Sequence, residues 1–387
     1  MKIGLVCPYS ITKGGGVQEI VFAMQAELAR RGHEVYIITP QPRDLNPETA
    51  IAKHIIFVGT GTQMSSPIHT TGQVSAGLNE EIERVLNEYQ FDILHFHEPG
   101  VPMLSRQILA RSRAVNVATF HAAFPETLTG RTFAKVVVPY TKSLLKYIDE
   151  FVAPSESAAE YVSSLMEHPV AIIPNSIDLE HYKAPRVRDD NKPHKTIFYV
   201  GRLEGRKGVK YLLHAYKLLR EKHDDVELVL AGDGANRAQL EMLAQDLELP
   251  DVTFLGFISD EEKLRYLRSA DLFCAPAIFG ESFGIVLIEA MATGLVTVAG
   301  NNPGYASVMR GLGSISLINP KDGPEFARRL SLLLYENDLR KLWRSWAKSQ
   351  VQQYSHEAVV TQYEELYAAA LKKYAHKRTG PLEDAAV

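Results

Sequence analysis

The chain has 387 residues, of which 45% are hydrophobic and 23% are charged, and its net charge is −4. These shares are ordinary for globular proteins, and a prior of about 150 residues per domain predicts two or three domains. The negative charge argues against a nucleic-acid-binding protein, because such proteins usually carry an excess of basic residues. The two cysteines, Cys7 and Cys274, each end an apolar run, so neither a disulfide framework nor a zinc site is indicated.

Neither a secretory leader nor a membrane-spanning segment is recognisable in the sequence. It has no charged, then apolar, then small-residue start, and no run of about eighteen apolar residues. We therefore expect a cytoplasmic protein that at most touches the cytoplasmic face of a membrane.

Short apolar segments alternate with amphipathic ones along the chain, a pattern typical of parallel sheets covered by helices on both faces. In the first half, strands are predicted near residues 2–7, 34–39, 54–58, 93–96, 116–120, 150–153 and 170–173. In the second half, they are predicted near residues 196–200, 227–231, 252–255, 272–275, 296–299 and 314–317. The sequence therefore predicts an α/β protein with two Rossmann-like, doubly wound parallel-sheet domains.

The domain boundary follows from a polar stretch between the two sets of strands. Residues 184–195 contain two prolines and a run of charges, and they form the second half of a predicted linker at about 175–195. We predict an N-terminal domain of residues 1–174 and a C-terminal domain of residues 175–354. Because doubly wound sheets bind ligands at the carboxyl ends of their strands, we expect the ligand in a cleft between the two domains.

The segment from Gly280 to Glu289 carries the most specific chemistry. A loop from Glu281 to Gly284 runs into an apolar helix start, where backbone N–H groups and the helix dipole suit an anionic diphosphate. Glu281 can accept hydrogen bonds from hydroxyl groups, and Glu289, about two turns later, can reach another part of the same ligand. A polyol joined to a diphosphate is a nucleotide sugar. The alternative interpretation is that Gly284 only permits a turn and that residues 285–288 begin a core helix.

A second glycine-rich loop follows the predicted strand at 196–200. It contains Gly201, Arg202, Gly205, Arg206, Lys207 and Gly208. A guanidinium group and an ammonium group five residues apart can hold two phosphoryl groups without a metal, so Arg202 and Lys207 are the diphosphate candidates. Exposed cations are more often solvated surface residues, but the preceding strand and the three glycines favour the phosphate interpretation.

A third glycine cluster lies near the start of the chain. Gly14, Gly15 and Gly16 precede a helix in which Val17, Ile20, Val21, Met24 and Leu28 recur at helical spacing. A strand, glycines and a helix in this order let a backbone approach a phosphate or a sugar closely. The full dinucleotide fingerprint, with its acidic residue about twenty positions later, is missing, which argues against a nicotinamide enzyme.

Together these segments resemble the retaining GT-B glycosyltransferases of family 4, over nearly the whole chain. The motifs that carry the resemblance are Gly14 to Gln18, Thr119 to His121, Pro174 to Asp178, Gly201-Arg202, Arg206 to Gly208 and Gly280 to Glu289. Ile3 to Ser10, Gly15 to Gln18 and His97 to Pro99 look most like bacterial phosphatidylinositol mannosyltransferases. Those enzymes move mannose from GDP-mannose to a membrane phosphoinositide. In the resembling fold, a helix from Ser355 to near Tyr374, within residues 355–387, crosses back to the N-terminal domain.

The resemblance implies a set of residues that bind the nucleotide sugar. These are Gly15, Gly16, Arg202, Lys207, Ile258, Asp260, Lys263, Glu281, Ser282, Phe283, Gly284, Ile285 and Glu289. In the relatives the loop before Asp260 meets guanine, and an acidic side chain there can accept from guanine N1 and N2 hydrogens, which favours GDP over UDP. By residue type alone Asp260 is also a good helix N-cap, which is the alternative interpretation.

Histidines follow two of the predicted strands. A lone histidine such as His121 is more often structural, but family members place this residue against the donor sugar, where a hydrogen bond to a sugar hydroxyl is expected. His95 and His97 beside Glu98 invite a metal-site interpretation, which we reject. Because alternate strand residues face opposite sides, we expect only one of the two histidines to face the Glu98 loop. The catalytic candidates are therefore His121, Arg202, Lys207 and Glu281.

The acceptor is predicted to bind in the N-terminal domain. The candidate residues are Tyr9, Gln18, His97 and Glu98, of which the first two match residues that line a polar-head pocket in lipid-using relatives. Those relatives meet anionic membrane through a basic amphipathic helix, but the corresponding residues 71–84 are acidic here. Since each basic residue near an anionic surface contributes on the order of 1 kcal/mol, this change undermines docking by that face. Another basic surface is offered by Lys372, Lys373, His376, Lys377 and Arg378, although a solvated helix end is the simpler interpretation.

The predicted mechanism depends on fixed protein charges. No Asp-x-Asp metal motif precedes a sugar-binding loop, so we expect no metal and no other cofactor, with Arg202, Lys207 and backbone dipoles stabilising the leaving group. The resemblance implies that the acceptor hydroxyl attacks on the face from which the diphosphate departs and that a phosphate oxygen takes the proton.

Three functions remain open on the sequence. The first is a GDP-mannose-dependent retaining transferase that acts on phosphatidylinositol or a related polyol or glycolipid. The second is a family 4 transferase that uses UDP-glucose or another UDP-sugar on a soluble or polysaccharide acceptor, which the acidic segment favours. The third is a nucleotide-sugar epimerase or a catalytically idle binding protein. The joint presence of the catalytic candidates argues against the idle protein.

Overall fold

The computed structural model describes residues 1–11, 15–42, 54–63, 73–101, 103–121, 138–183 and 194–375. The chain divides into two compact units. The N-terminal unit comprises Met1–Ser176 together with His356–Val387, and the C-terminal unit comprises Ile177–Ser355. Residues 184–193, in the second half of the predicted linker, lie outside the described residues.

The N-terminal unit is built on one sheet. Its strands are β1 (Lys2–Val6), β2 (Glu34–Gln41), β3 (Ile55–Gln63), β4 (Gln73–Ala76), β5 (Ile93–His97), β6 (Val115–Thr119), β7 (Glu150–Ala153) and β8 (Val170–Ile172). Their order in the sheet is β4-β3-β2-β1-β5-β6-β7-β8, and β4 alone among them pairs antiparallel. The central strands β1, β5 and β6 are almost entirely buried, as a parallel sheet between helix layers requires.

Helices follow the strands of this sheet. They are α1 (Gly16–Arg30), α2 (Asn79–Tyr89), α3 (Leu104–Leu109), α4 (138–145) and α5 (Glu156–Ser163). The helical spacing of apolar residues in α1 is confirmed, because Ile20, Val21, Met24 and Leu28 are buried, and Val17 in the first turn is half-buried. Burial of this stripe fixes α1 against the sheet and places its start at the carboxyl end of β1.

The C-terminal unit repeats the same alternation. Its strands are β9 (Lys195–Val200), β10 (Val226–Ala231), β11 (Val252–Gly256), β12 (Leu272–Ala275), β13 (Thr297–Gly300) and β14 (Leu317–Ile318), in the parallel order β11-β10-β9-β12-β13-β14. Its helices are α6 (Leu179–Tyr182), α7 (Val209–Arg220), α8 (Arg237–Asp246), α9 (Asp260–Ser269), α10 (Ile285–Ala292), α11 (Pro303–Val308), α12 (Gly323–Tyr335) and α13 (Asn337–Gln350). Short 3₁₀ helices lie at Gly205–Lys207, Gly311–Ser316 and Val351–Tyr354.

The last helix, α14 (His356–Lys373), packs on α1 and β6. Arg31, which follows α1, pairs with Glu364 and donates to the carbonyl oxygen of Glu357. At the other end of the helix, Lys373 pairs with Glu150 at 2.8 Å. The helix is therefore part of the N-terminal unit, although the whole C-terminal unit precedes it in sequence.

The predicted α/β fold with two parallel-sheet domains is confirmed. Two local predictions are wrong. The segment 71–84 corresponds to an amphipathic helix in the lipid-using relatives, but its residues 73–76 form the edge strand β4. Their alternating polar and apolar residues favour a strand, and the helix begins only at Asn79. The strand predicted at 314–317 is reduced to Leu317–Ile318, because the preceding glycine-rich residues form a 3₁₀ helix.

Candidate active site

Residues 201–208 connect β9 to α7, and we call them the cation loop because they carry Arg202, Arg206 and Lys207. The loop turns through the 3₁₀ helix and enters α7 at Gly208. Gly208 has a φ of +74°, and a Cβ atom there would lie 2.0 Å from the carbonyl oxygen of Pro276. Only glycine fits this position, so the cation loop lies directly against the segment that follows β12.

Glu281 lies beside two cations of this loop. Its Oε1 atom is 2.6 Å from Nη1 of Arg206 and 2.8 Å from Nζ of Lys207. Glu204 extends the network, with contacts of 2.7 Å to Arg202 and 3.1 Å to Arg206. Burial lowers the pKa of Arg206, but the neighbouring Glu281 and Glu204 raise it by more, so the guanidinium group stays charged.

The network brings together three of the predicted catalytic residues, Arg202, Lys207 and Glu281. Its central cation is Arg206, which sequence reasoning placed in the motif without giving it a role. Three cations face two carboxylates, which leaves one net positive charge beside the loop. The cluster can therefore accept part of the charge of a diphosphate.

The loop that carries Glu281 is fixed by close backbone contacts. Gly284 has a φ of +115°, and a Cβ atom there would lie 2.7 Å from Cδ1 of Tyr305. A Cβ atom at Gly304 would lie 2.0 Å from the carbonyl oxygen of Glu281. Because α10 begins directly after Gly284 without a side-chain cap, the N–H groups of its first turn suit an anion, and diphosphate binding there stays a prediction.

Phe283, in the middle of this loop, has a packing role. Its side chain is 3% exposed, and its ring contacts that of Tyr354 edge-on with centroids 5.6 Å apart. The buried ring is therefore not available to a ligand, and any contact of Phe283 with the donor would have to come from its backbone.

Glu289 of α10 is buried and receives two hydrogen bonds at Oε1. Tyr182 donates at 2.8 Å and Lys263 donates at 3.0 Å. Lys263 also lies 3.3 Å from Asp260, whose side chain is 83% exposed. Burial lowers the pKa of Lys263, but Glu289 and Asp260 raise it by more. The structure thus brings three predicted donor residues together and adds Tyr182, which no sequence motif indicated.

Asp260 is not the N-cap of α9. Ser259 holds that position, where its hydroxyl accepts from the N–H group of Glu262 at 3.2 Å, and the Glu262 carboxylate accepts from the N–H group of Ser259 at 3.0 Å. The Ser-x-x-Glu spacing is the sequence signal for this capping box. Asp260 therefore makes no capping hydrogen bond, and its side chain is exposed. Ile258 is partly buried and packs against the core.

In the N-terminal unit, Tyr9 follows the carboxyl end of β1, and Gln18 lies in the first turn of α1. Tyr9 is 7% exposed, and burial and the neighbouring Glu98 raise the pKa of its phenol, which therefore stays protonated. Gln18 donates from Nε2 to the carbonyl oxygen of Ser10 at 3.3 Å. Both predicted acceptor residues are thus held in place by the surrounding protein.

The predicted glycine turn before α1 is only partly described. Gly16 is the first residue of α1 and Gly15 precedes it, whereas Gly14 lies outside the described residues. Gly15 is extended, and the nearest atom to a Cβ atom there would be Oε1 of the Gln18 side chain, at 2.6 Å. The close approach of a ligand to this backbone stays a prediction.

His95, His97 and His121 lie in a row at the carboxyl ends of β5 and β6, and we call this row the histidine column. The ring centroids of His95 and His97 are 4.3 Å apart, and those of His97 and His121 are 5.4 Å apart. The expectation that only one of His95 and His97 faces the Glu98 loop is wrong, because residues two apart in a strand share a face. Nδ1 of His97 is 3.1 Å from Nε2 of His121, and Glu98 accepts from the backbone N–H group of His121 at 2.9 Å.

Burial keeps the histidine column neutral at pH 7. It lowers the pKa of His95 to about 3 and the pKa of His97 well below its ordinary value, and the neighbouring histidines add to both effects. For His121, burial lowers the pKa, while the Glu98 carboxylate and a hydrogen bond with Asn175 partly offset it. A neutral imidazole donates one hydrogen bond and accepts another, which suits a sugar hydroxyl.

The described part of the chain shows no metal-binding cluster and no membrane-spanning helix. In it, no group of three or more His, Cys, Asp or Glu side chains is placed to hold a metal ion. Among the same residues, no helix is both long and apolar enough to cross a membrane. Cys7 and Cys274 are buried free thiols.

Two family models match the chain, one for each half. The model described as Glycosyltransferase Family 4 matches residues 14–181, and the model described as Glycosyl transferases group 1 matches residues 183–350. A phosphatidyl-myo-inositol mannosyltransferase from Mycobacterium leprae is 32% identical over 374 residues, which are 95% of this chain and 96% of that protein. The chain belongs to glycosyltransferase family 4. It is therefore an enzyme that transfers a sugar.

Solved structures share the GT-B fold of this glycosyltransferase. Sucrose-phosphate synthase from Thermosynechococcus elongatus matches with a TM-score of 0.77 and 20% identity, covering 96% of this chain and 99% of that one. HepE from Anabaena, in complex with UDP and glucose, matches with a TM-score of 0.72 and 17% identity, covering 95% of this chain and 100% of that one. At these identities the likeness concerns the fold alone.

Proposed function

We propose that this glycosyltransferase is a retaining mannosyltransferase that moves mannose from GDP-mannose to phosphatidylinositol or a related polyol or glycolipid. The observation that carries the proposal is the 32% identity, over 95% of the chain, to the phosphatidyl-myo-inositol mannosyltransferase of Mycobacterium leprae. The cation loop on the donor side and the histidine column near the predicted acceptor residues support it chemically.

The donor diphosphate is proposed to bind at the cation loop and the start of α10. There Arg202, Arg206 and Lys207 outnumber the two carboxylates, and the uncapped helix terminus adds backbone N–H groups. Preorganised positive groups of this kind stabilise the charge that develops on a departing diphosphate. The proposal therefore includes transfer that needs no metal ion.

In the proposed reaction the acceptor hydroxyl attacks the anomeric carbon on the face from which GDP leaves. The new carbon–oxygen bond forms as the bond to the diphosphate oxygen breaks, and the acceptor proton passes to a phosphate oxygen, so the configuration is retained. We assign to the neutral His121 a hydrogen bond with a donor-sugar hydroxyl. Tyr9 and Gln18 are assigned to the polar head of the acceptor, and His97 and Glu98 to the surrounding acceptor site.

Product analysis tests the proposal directly. The purified protein is incubated with radiolabelled GDP-mannose and vesicles of phosphatidylcholine, with or without phosphatidylinositol. We expect a labelled lipid only in the vesicles that contain phosphatidylinositol, and an α-mannosidase should release its label. Transfer from UDP-sugars alone, or release of an epimerised sugar nucleotide instead of a glycoside, would contradict the proposal.

Replacing Asp260 by alanine should reduce the preference for GDP over UDP. Its exposed carboxylate can accept from guanine N1 and N2 hydrogens, whereas uracil lacks that pattern. Loss of a hydrogen bond to a charged group should weaken GDP binding by roughly tenfold to a hundredfold, with little change for UDP. Glu261→Ala is the matched control, because it removes the same charge from the same exposed helix turn. An unchanged preference in calorimetry of Asp260→Ala would refute the assignment.

Replacing Tyr182 by phenylalanine tests whether Glu289 needs its hydroxyl donor. The change keeps the ring but removes one hydrogen bond to a buried carboxylate, so we expect GDP binding to weaken by roughly tenfold. Tyr216→Phe is the control, because Tyr216 is also buried in this unit but donates to the carbonyl oxygen of Val226 at 2.7 Å. Both variants should unfold at lower temperature, and only Tyr182→Phe should bind GDP more weakly. Equal GDP affinity in the two variants would contradict the role of Tyr182.

The second candidate function is transfer from a UDP-sugar to a soluble or polysaccharide acceptor. The acidic start of α2 favours it, because Glu80 and Glu83 are exposed where a membrane-docking helix would carry cations. Glu81 accepts from the N–H group of Gly59 at 3.2 Å, and Glu83 pairs with Arg111 at 3.2 Å. Product formation from UDP-glucose that is insensitive to vesicles would select this function.

A further inference from the structure

The histidine column is joined to α14 by buried hydroxyl groups. The Tyr367 hydroxyl is 2.6 Å from Nδ1 of His95, and the Thr119 hydroxyl is 2.7 Å from Nε2 of the same ring. The Tyr363 hydroxyl lies 3.1 Å from that of Thr119. All four side chains are buried, so these contacts supply the hydrogen-bond partners that water cannot.

These contacts fix the ring of His95, the residue of the histidine column that lies next to α14. Because both ring nitrogens of His95 are hydrogen-bonded, a rotation or flip of its ring would break two buried hydrogen bonds. His97 stacks on this fixed ring, and its edge meets the edge of the His121 ring, with the two ring planes 12° apart. The orientation of the His97 ring is therefore set by His95 and by the hydroxyl groups that hold His95.

The contact between His97 and His121 holds a single proton. Both rings are neutral, so at a separation of 3.1 Å one nitrogen donates and the other accepts. If Nδ1 of His97 carries the hydrogen, Nε2 of His121 must accept and the hydrogen of His121 lies on Nδ1. In the opposite case, His121 donates from Nε2. The tautomer of His121 is thus tied to that of His97.

We propose that His97 is a positioning residue that sets the ring orientation and the tautomer of His121, and that Tyr363 and Tyr367 of α14 hold the column in place. The inference rests on the proposed function of His121 toward the donor sugar. It gives α14 a part in the reaction, because Tyr367 of this helix orients His95. The two residues are 272 positions apart in the sequence. The main role of His97 is then to orient His121, and contact with the acceptor is not its main role.

Two substitutions of His97 separate hydrogen bonding from packing. His97→Phe keeps a stacked ring but has no group in place of Nδ1, whereas His97→Asn is smaller and offers an amide near that position. We expect His97→Phe to lower kcat by roughly tenfold with an unchanged donor KM, and His97→Asn to keep more activity. A higher kcat for His97→Phe than for His97→Asn would overturn the inference, because packing alone would then explain the residue.

The role of α14 is tested by Tyr367→Phe. Tyr374→Phe is the control, because Tyr374 follows the same helix and donates to the carbonyl oxygen of Asp149 at 2.9 Å, away from the column. Nitrogen-15 NMR of histidine-labelled protein reports the tautomer of each ring, and the signal that His121→Ala removes identifies His121. Tyr367→Phe and His97→Phe should shift that signal and Tyr374→Phe should not. An unshifted signal in both column variants would overturn the inference.

Activity of His121→Ala separates this inference from the proposed function. If His121→Ala turns over normally, the function assigned to His121 is wrong. If His121→Ala is inactive while His97→Phe and Tyr367→Phe match the unsubstituted enzyme in kcat, only the positioning inference is wrong. Circular dichroism and thermal unfolding establish that each variant is folded, and Tyr367→Phe, which keeps its ring, is the change that disturbs packing least.

Discussion

Replacing Lys207 by alanine should lower turnover by roughly a hundredfold to a thousandfold, because its ammonium group is one of the preorganised charges assigned to the departing diphosphate. Nucleotide binding should weaken by about 1.5–3 kcal/mol, the contribution of a hydrogen bond to a charged group. The substitution leaves Glu281 with Arg206 as its cation and removes the net positive charge beside the cation loop.

Steady-state kinetics and calorimetry with GDP measure both effects. Lys210→Ala is the matched control, because Lys210 is an exposed lysine of the adjoining helix α7. We expect the control to stay within about twofold of the unsubstituted enzyme, the usual range for surface substitutions. Normal turnover and affinity in Lys207→Ala would remove Lys207 from the site.

Replacing Gly208 by alanine should destabilise the C-terminal unit by about 3–4 kcal/mol, at the upper end of single substitutions. The left-handed backbone alone costs an alanine roughly 1–2 kcal/mol. The added Cβ atom would also lie 2.0 Å from the carbonyl oxygen of Pro276, so the cation loop must move away from it. Movement of Arg206 and Lys207 with the loop should abolish detectable nucleotide binding.

Gly294→Ala is the control for the backbone contribution. Gly294 has a similar φ of +69°, but no atom lies within 4 Å of the position of a Cβ atom. Both tryptophans of the chain, Trp343 and Trp346, lie in α13, so their fluorescence during urea unfolding reports on the C-terminal unit. Equal destabilisation by the two substitutions would contradict the close contact between Gly208 and Pro276.

The fold could be predicted because its signal is local. Apolar runs such as Ile93–His97 and helical spacing such as that of α1 follow from the burial of each element against one sheet. The edge strand β4 could not be predicted, because only four residues form it. Its antiparallel partner β3 ends ten residues earlier, at Gln63, and no two-residue hairpin turn links the two strands. The capping box of Ser259 and Glu262 is also a local signal, because the Ser-x-x-Glu spacing indicates it.

The candidate site could be predicted only where its chemistry lies within one motif. Arg202, Lys207, Glu281 and Glu289 stand in glycine-rich or helix-start segments that indicate phosphate binding. Their partners depend on contacts between distant segments: Tyr182 lies 107 residues from Glu289, and Tyr367 lies 272 residues from His95. No local periodicity reports such contacts, so these two tyrosines could be found only in the folded chain.

Calorimetric titration with GDP and UDP tests the central claim most directly. Each nucleotide is titrated into the purified protein in EDTA and again in magnesium. We predict that GDP binds in EDTA, that it binds more tightly than UDP, and that magnesium changes neither result much. Tighter binding of UDP, or binding of GDP only with magnesium, would contradict the account of a metal-independent, GDP-mannose-dependent transferase.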